Sequence, residues 1–141
     1  MSIDHVKKGN ISEQKFVLYC LENDIKISKP VFNDLRYDFI IDLNNQLYRI
    51  QVKTGYRGDY LAKERFCFKT SNNVCTMSQI KTKNYIGDID YFAVYCEEFL
   101  GKDHPFIFIP IEKATTKEMT MYYGNNTTDS RLNRCNEYYY I

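Results

Sequence analysis

Tyr37-Asp38-Phe39-Ile40-Ile41-Asp42, then Asn44-Asn45, then Leu47-Tyr48-Arg49-Ile50-Gln51-Val52-Lys53-Thr54 is the stretch on which the fold turns. Both flanking runs are rich in β-branched and aromatic residues, and the asparagine pair between them marks a tight turn. The reading is an antiparallel hairpin. Its turn sets the start of one strand opposite the end of the next, so Asp38 faces Gln51 and Lys53 across the ladder. Gln51 and Lys53 are two apart and share one face, while Ile50 and Val52 point to the other, toward a core. A lysine in so apolar a strand needs a reason, because lysine is rarely buried unless paired.

Upstream, Gly9-Asn10-Ile11-Ser12-Glu13 supplies capping residues before a run from Gln14 to Glu22 without Gly or Pro. This predicts a helix ending near Asn23-Asp24, with Ile11, Val17, Leu18, Leu21 and Ile25 near one face. Glu13 then falls in the first turn, where the helix dipole favours a carboxylate. Ile27 to Phe32 reads as a short edge strand because of Pro30. Downstream, Arg65 to Thr70, Ile89 to Cys96 and Phe106 to Pro110 read as strands. Ser71 to Ile86 is polar and reads as loop or helix, Glu112 to Met119 as a short helix, and the tyrosine-rich tail from Tyr122 carries no clear pattern. Helix, several strands, then strand and helix imply one α/β layer fold with a central mixed sheet flanked by helices, a single domain over residues 1–141.

Composition fits that size. A chain of 141 residues that is 44% hydrophobic and 16% aromatic has enough apolar material for a core. No apolar run approaches the ~20 residues needed to cross a bilayer, and Met1 to Lys8 has no apolar signal core behind it. Five scattered cysteines (Cys20, Cys67, Cys75, Cys96, Cys135) lack C-x-x-C spacing. They read as free thiols in a reducing, cytoplasmic setting. Net charge is only +1, yet Arg49 to Lys83 holds eight basic and two acidic residues, a local +6. A basic segment on a neutral protein suits phosphate, and it makes Arg57, Lys63, Arg65, Lys69, Lys81 and Lys83 candidates for contact with DNA; its ordinary reading is a solvated face.

Two histidines in unrelated settings, His5 and His104, argue against a histidine-metal nuclease or a histidine triad, and no phosphate-cradling glycine motif is present. Glu13, Asp38, Gln51 and Lys53 remain. Taken singly each is unremarkable: a helix-start carboxylate, a strand-end carboxylate, a solvent-facing amide and a snorkelling lysine. Taken together they suit phosphodiester hydrolysis. Hard oxygens suit Mg²⁺, which takes one or two carboxylates and keeps several waters. A neighbouring lysine can orient water or share developing charge. Gln51 would bind through a neutral amide oxygen, leaving the site one negative charge short of an all-acidic version, a deficit Glu13 could make good.

Lys8-Gly9-Asn10-Ile11-Ser12-Glu13, Tyr37 to Asp42 and Arg49 to Thr54, with a weaker match from Tyr85 through Asp88 to Tyr95 and Phe108 to Ile111, resemble the PD-(D/E)XK nucleases. The likeness is greatest to the small group that includes a homing endonuclease encoded in a group I intron. The resemblance implies a restriction-endonuclease-like core and a Mg²⁺-dependent cut in DNA, with Mn²⁺ able to substitute. By position it makes Glu13, Asp38 and Gln51 metal-site residues and Lys53 the catalytic lysine. Gln51 stands where Asp or Glu is usual, and Tyr37 where the motif proline often is. Cutting two strands needs two sites, so a homodimer or homotetramer is expected. Site-specific cleavage is the first expectation. Resolution of four-way DNA junctions, and a catalytically weak nucleic-acid-binding module of the same fold, are the alternatives.

Overall fold

The computed structural model describes residues 2–58, 64–75, 80–114, 117–124 and 131–141, with side chains omitted at 2, 3, 73–75 and 80–82. The elements in order are α1 (Ser2–Glu22), β1 (Lys26–Ser28), β2 (Phe39–Leu43), β3 (Gln46–Thr54), β4 (Arg65–Lys69), β5 (Ser71–Cys75), β6 (Ile80–Asn84), β7 (Tyr91–Tyr95), α2 (Glu97–Leu100), β8 (Phe106–Pro110) and β9 (Glu118–Tyr122), with 3₁₀ turns at Ile111–Lys113 and Cys135–Tyr138.

The hairpin forms as its sequence dictates. Asn44 and Asn45 both take positive φ (54° and 65°), the backbone a two-residue hairpin turn requires. Phe39 pairs with Ile50 and Leu43 with Gln46. The hairpin is the middle of a five-stranded mixed sheet, ordered β1-β2-β3-β7-β8, in which β3–β7 is the parallel pair. A parallel neighbour needs a long crossover, and the chain between β3 and β7 uses it to build the β5–β6 ribbon and to supply β4, which pairs with β9 from beyond β8.

Two apolar cores sandwich the sheet. On one side Ile50, Val52, Phe39 and Ile41 pack with Phe16 and Cys20 of α1 and with Phe106 and Phe108 of β8. Phe16 is the centre of this side, with its ring 5.8 Å from that of Phe39 and 5.2 Å from that of Phe106. On the other side Phe92, Val94, Ile107 and Ile109 meet Phe66, Phe68, Met119 and Met121 of the β4–β9 ribbon. Gly55, just after β3, lets that ribbon close in: a Cβ there would lie 2.9 Å from the Phe66 ring and 3.2 Å from the Tyr95 carbonyl oxygen.

Several expectations are corrected. The helix begins at Ser2, not near Gly9, so Glu13 sits in its middle and the dipole argument does not apply. Its buried stripe is Ser12, Phe16 and Cys20. Ile11, Leu18 and Leu21 are exposed, because the aromatic pocket formed by Phe39, Phe106 and Phe108 selects the face that carries Phe16. Within Ser71 to Ile86, expected as loop or helix, Ser71–Cys75 and Ile80–Asn84 form the strands β5 and β6. Among the described residues, Glu112 to Met119, expected as a short helix, gives the end of a 3₁₀ turn and the start of β9, whose Met119 and Met121 alternate inward. Among the described residues no helix is long and apolar enough to cross a membrane. Cys20, Cys67, Cys96 and Cys135 are buried free thiols, and burial pushes Cys20 and Cys135 up to about 12.

Candidate functional site

Asp38 sits one residue before β2, and its backbone N–H donates to the Ile50 carbonyl at 2.8 Å. Its Oδ2 accepts from the Val52 N–H at 2.9 Å. These two bonds bracket Gln51, so the carboxyl is fixed opposite the residue that the hairpin reading places there. Gln51 and Lys53 are half-buried on the face of β3 away from Ile50 and Val52. Among the described residues no hydrogen bond joins the Gln51 side chain to Glu13, Asp38 or Lys53. Its place in the group rests on strand register.

Electrostatics tie the rest together. Burial raises Asp38 to about 6 from 3.8, and the charge of Glu13 pushes it the same way; the Val52 N–H, Lys53 and Lys29 pull it back. Burial also raises Glu13, opposed by Lys29. Lys53 is lowered to about 8 from 10.5, first by burial, with Asp38 favouring its charge and Arg36 opposing it. Glu13 reaches this group from the middle of α1, which is pinned to the end of β3 by the 2.6 Å hydrogen bond between the Ser12 and Thr54 hydroxyls.

Two participants were not visible in the strand pattern. Lys53 Nζ donates to the Tyr85 hydroxyl at 3.1 Å and lies 4.8 Å from that ring's centroid. Arg36 stacks on the same ring at 4.0 Å. The Arg36 guanidinium donates to the Asn84 carbonyl at 2.8 Å and pairs with Asp88 at 3.6 Å. Buried Tyr85 thus fixes the lysine head, and two cations flank its ring. The available signal was parity: Arg36 stands two residues before Asp38.

The donor set can be tested against a divalent cation. Glu13 and Asp38 are like charges that repel across the site, offset by Lys29 at both and, at Asp38, by the Val52 N–H and Lys53. A cation between hard oxygens would relieve that repulsion. Among the described residues no cluster of three His, Cys, Asp or Glu side chains converges, so a third ligand would have to be an amide or carbonyl oxygen. By strand register Gln51, beside Asp38 across the ladder, carries such an amide oxygen. The residues fit such a cation with two charged ligands and one neutral one.

The candidate DNA-contacting residues scatter. Exposed Arg57 donates to the Tyr123 hydroxyl at 3.0 Å. Arg65 lies over Tyr122 at 5.6 Å. Lys69 pairs with Glu118 at 3.1 Å, and Lys83 with Asp88 at 3.9 Å. Arg49 is bound by Asp90, whose Oδ2 accepts from the Arg49 backbone N–H at 2.8 Å. The acidic segment after Asn84 therefore neutralises part of the basic one before it. Lys63 and the Lys81 side chain lie outside the described residues.

Residues 3–141 match a family model described as PD-(D/E)XK endonuclease. Among solved structures, the chain is similar to a bacterial homing endonuclease, I-Ssp6803I, with 21% identity and a TM-score of 0.70 over 93% of this chain and 85% of that one. At that identity the likeness concerns the fold. No curated protein matches the chain.

Proposed function

Because this chain belongs to the PD-(D/E)XK endonuclease family, we propose that it is a divalent-metal-dependent DNA endonuclease whose centre is Glu13, Asp38, Gln51 and Lys53, in a single domain spanning residues 1–141. The observation that carries this is the placement of Asp38 and Lys53 on one sheet face, within each other's electrostatic influence and perturbed by burial in opposite directions to about 6 and about 8. Ionisable groups so displaced toward neutral pH are characteristic of reactive sites.

Glu13, Asp38 and the Gln51 amide oxygen would hold Mg²⁺, with Mn²⁺ an acceptable substitute. When bound, such an ion supplies a Lewis acid that lowers the pKa of water and offsets charge on the phosphate. The residues do the rest. Asp38 keeps Oδ2 on the Val52 N–H, so the carboxyl cannot rotate away. Lys53 is still protonated below about pH 8 and uses one N–H on Tyr85. Its other N–H bonds are available to a phosphate oxygen or to the attacking water, where negative charge develops. Arg36 adds a fixed positive charge behind Tyr85. Site-specific double-strand cutting by a homodimer or homotetramer is the first reading of substrate, because a two-strand cut needs two such centres. A binding module that grips DNA without cutting is favoured by one observation: among the described residues the group has two carboxylates rather than three.

The test is incubation of linear duplex and four-way-junction DNA with the protein in Mg²⁺, Mn²⁺ or EDTA. Metal-dependent cleavage of the duplex at fixed positions supports site-specific cutting, while preference for the junction supports resolution. Salt-sensitive binding with no metal-dependent product on either substrate would favour the binding module.

A further inference from the structure

The connection between β1 and β2 runs over Lys29-Pro30-Val31-Phe32-Asn33-Asp34-Leu35-Arg36-Tyr37 and ends directly on Asp38. Loop tips on a folded protein are ordinarily polar or carry glycine. This one carries Val31 at 94% exposure, Phe32 at 71% and Leu35 at 39%. Three large apolar side chains exposed within five residues mark a surface meant to be covered. What surrounds them limits what can cover them. Lys29 opens the loop, and its charge is felt by both Glu13 and Asp38. Arg36 closes the loop and lies against Tyr85, which holds Lys53. The tip therefore stands between two cations on the rim of the candidate centre. Phe32 is six residues from Asp38, a span of at most about 20 Å of chain, or about six base steps of DNA.

We propose that Phe32, supported by Val31, is a base-contacting wedge that stacks on or inserts beside a base step near the phosphate held at Glu13, Asp38 and Lys53. This rests on the nuclease reading and adds a specific contact to it. An anionic backbone satisfies Lys29, and an aromatic face satisfies Phe32; nucleic acid is the partner that presents both at this spacing. Apolar side chains inserted at a base step unstack and bend a duplex. Such contact is tolerant of sequence, because every base offers a π face. A second copy of the chain is a poorer occupant. Two or three side chains fall far short of the roughly 800 Å² per partner of a stable protein interface, and the flanking cations would face each other across it.

The protein contains no tryptophan, which permits a direct test. Phe32→Trp places one fluorophore at the tip. Leu47→Trp, at an exposed position at the far end of the hairpin from Asp38, is the control. Both are made in a Lys53→Ala background with Mg²⁺, so that DNA is held and not cut, and are titrated with linear duplex of mixed sequence. Binding is read independently from the anisotropy of labelled DNA. The expected result is saturable quenching at position 32 with little change at 47. Phe32→Ala in the same background should bind on the order of ten-fold more weakly, with Phe32→Trp restoring affinity. Binding without quenching at 32, or equal quenching at both positions, would overturn the wedge and leave the nuclease reading standing. A signal at 32 that follows protein concentration without DNA would overturn it in favour of contact between copies. Absence of DNA binding would overturn both readings together.

Discussion

Asp38→Asn should make the metal-free protein more stable. The Asp38 carboxyl titrates near 6 in the fold, against 3.8 as its ordinary value. Folding therefore opposes its ionisation. The penalty is absent below pH 3.8, where the group is protonated folded or unfolded. It grows as pH rises and is complete above about 6. The gap between the two values is worth about 3 kcal/mol. Asparagine is the same shape, carries no charge, and can still accept from the Val52 N–H with its amide oxygen. In EDTA near pH 7 the variant should gain up to about 3 kcal/mol in urea unfolding, with the slope unchanged. The gain should shrink toward zero below pH 3.8. Mg²⁺ should stabilise the natural protein and leave the variant nearly unmoved, because the ion's benefit is relief of the same penalty. A variant that is less stable than the natural protein at pH 7, or equally improved at both pH values, would refute the claim that Asp38 is held under electrostatic strain.

Lys53→Met should also stabilise near pH 7, by up to about 3 kcal/mol, since Lys53 falls from 10.5 to about 8 and its charged form is the one disfavoured. Here the gain is full below about 8 and fades toward 10.5, the reverse pH dependence of Asp38, and urea unfolding across that range reads it. Arg36→Ala removes a charge that opposes protonation of Lys53, so its pKa should rise from about 8 toward 10.5; an NMR titration of the lysine ε-carbon that shows no rise would contradict this. Gln51→Glu adds a third carboxylate to the two already repelling. It should tighten divalent-cation binding in calorimetry while lowering stability in EDTA, and a variant unchanged in both would remove Gln51 from the site.

The hairpin was legible because its two devices are local: an asparagine pair that accepts positive φ and an alternation that fixes which side chains share a face. That is why Asp38, Gln51 and Lys53 occupy the positions their spacing implies. Glu13 was legible as a helix carboxylate but not as a mid-helix one, because Gly9 reads as a boundary and the helix continues through it. The buried face of α1 was misjudged for a tertiary reason. Leu18 and Leu21 are as apolar as Phe16, and only the ring pocket of Phe39, Phe106 and Phe108 decides between them. The β5–β6 ribbon escaped because its strands, such as Ser71 to Cys75, are polar and their pairing lies outside any helical or alternating apolar pattern. Tyr85 and Arg36 meet Lys53 through packing between distant segments, and no short window of sequence contains all three.

The most direct measurement of the central claim is strand breakage in a closed circular plasmid pool carrying randomised inserts, treated with Mg²⁺ and the natural protein, Lys53→Ala or Asp38→Asn. A circle has no ends, so any nicked or linear product is endonucleolytic. The account predicts breaks from the natural protein that need the divalent ion and fall to background in both variants. Breaks that persist in EDTA, or that are no more frequent than with Lys53→Ala, would contradict it.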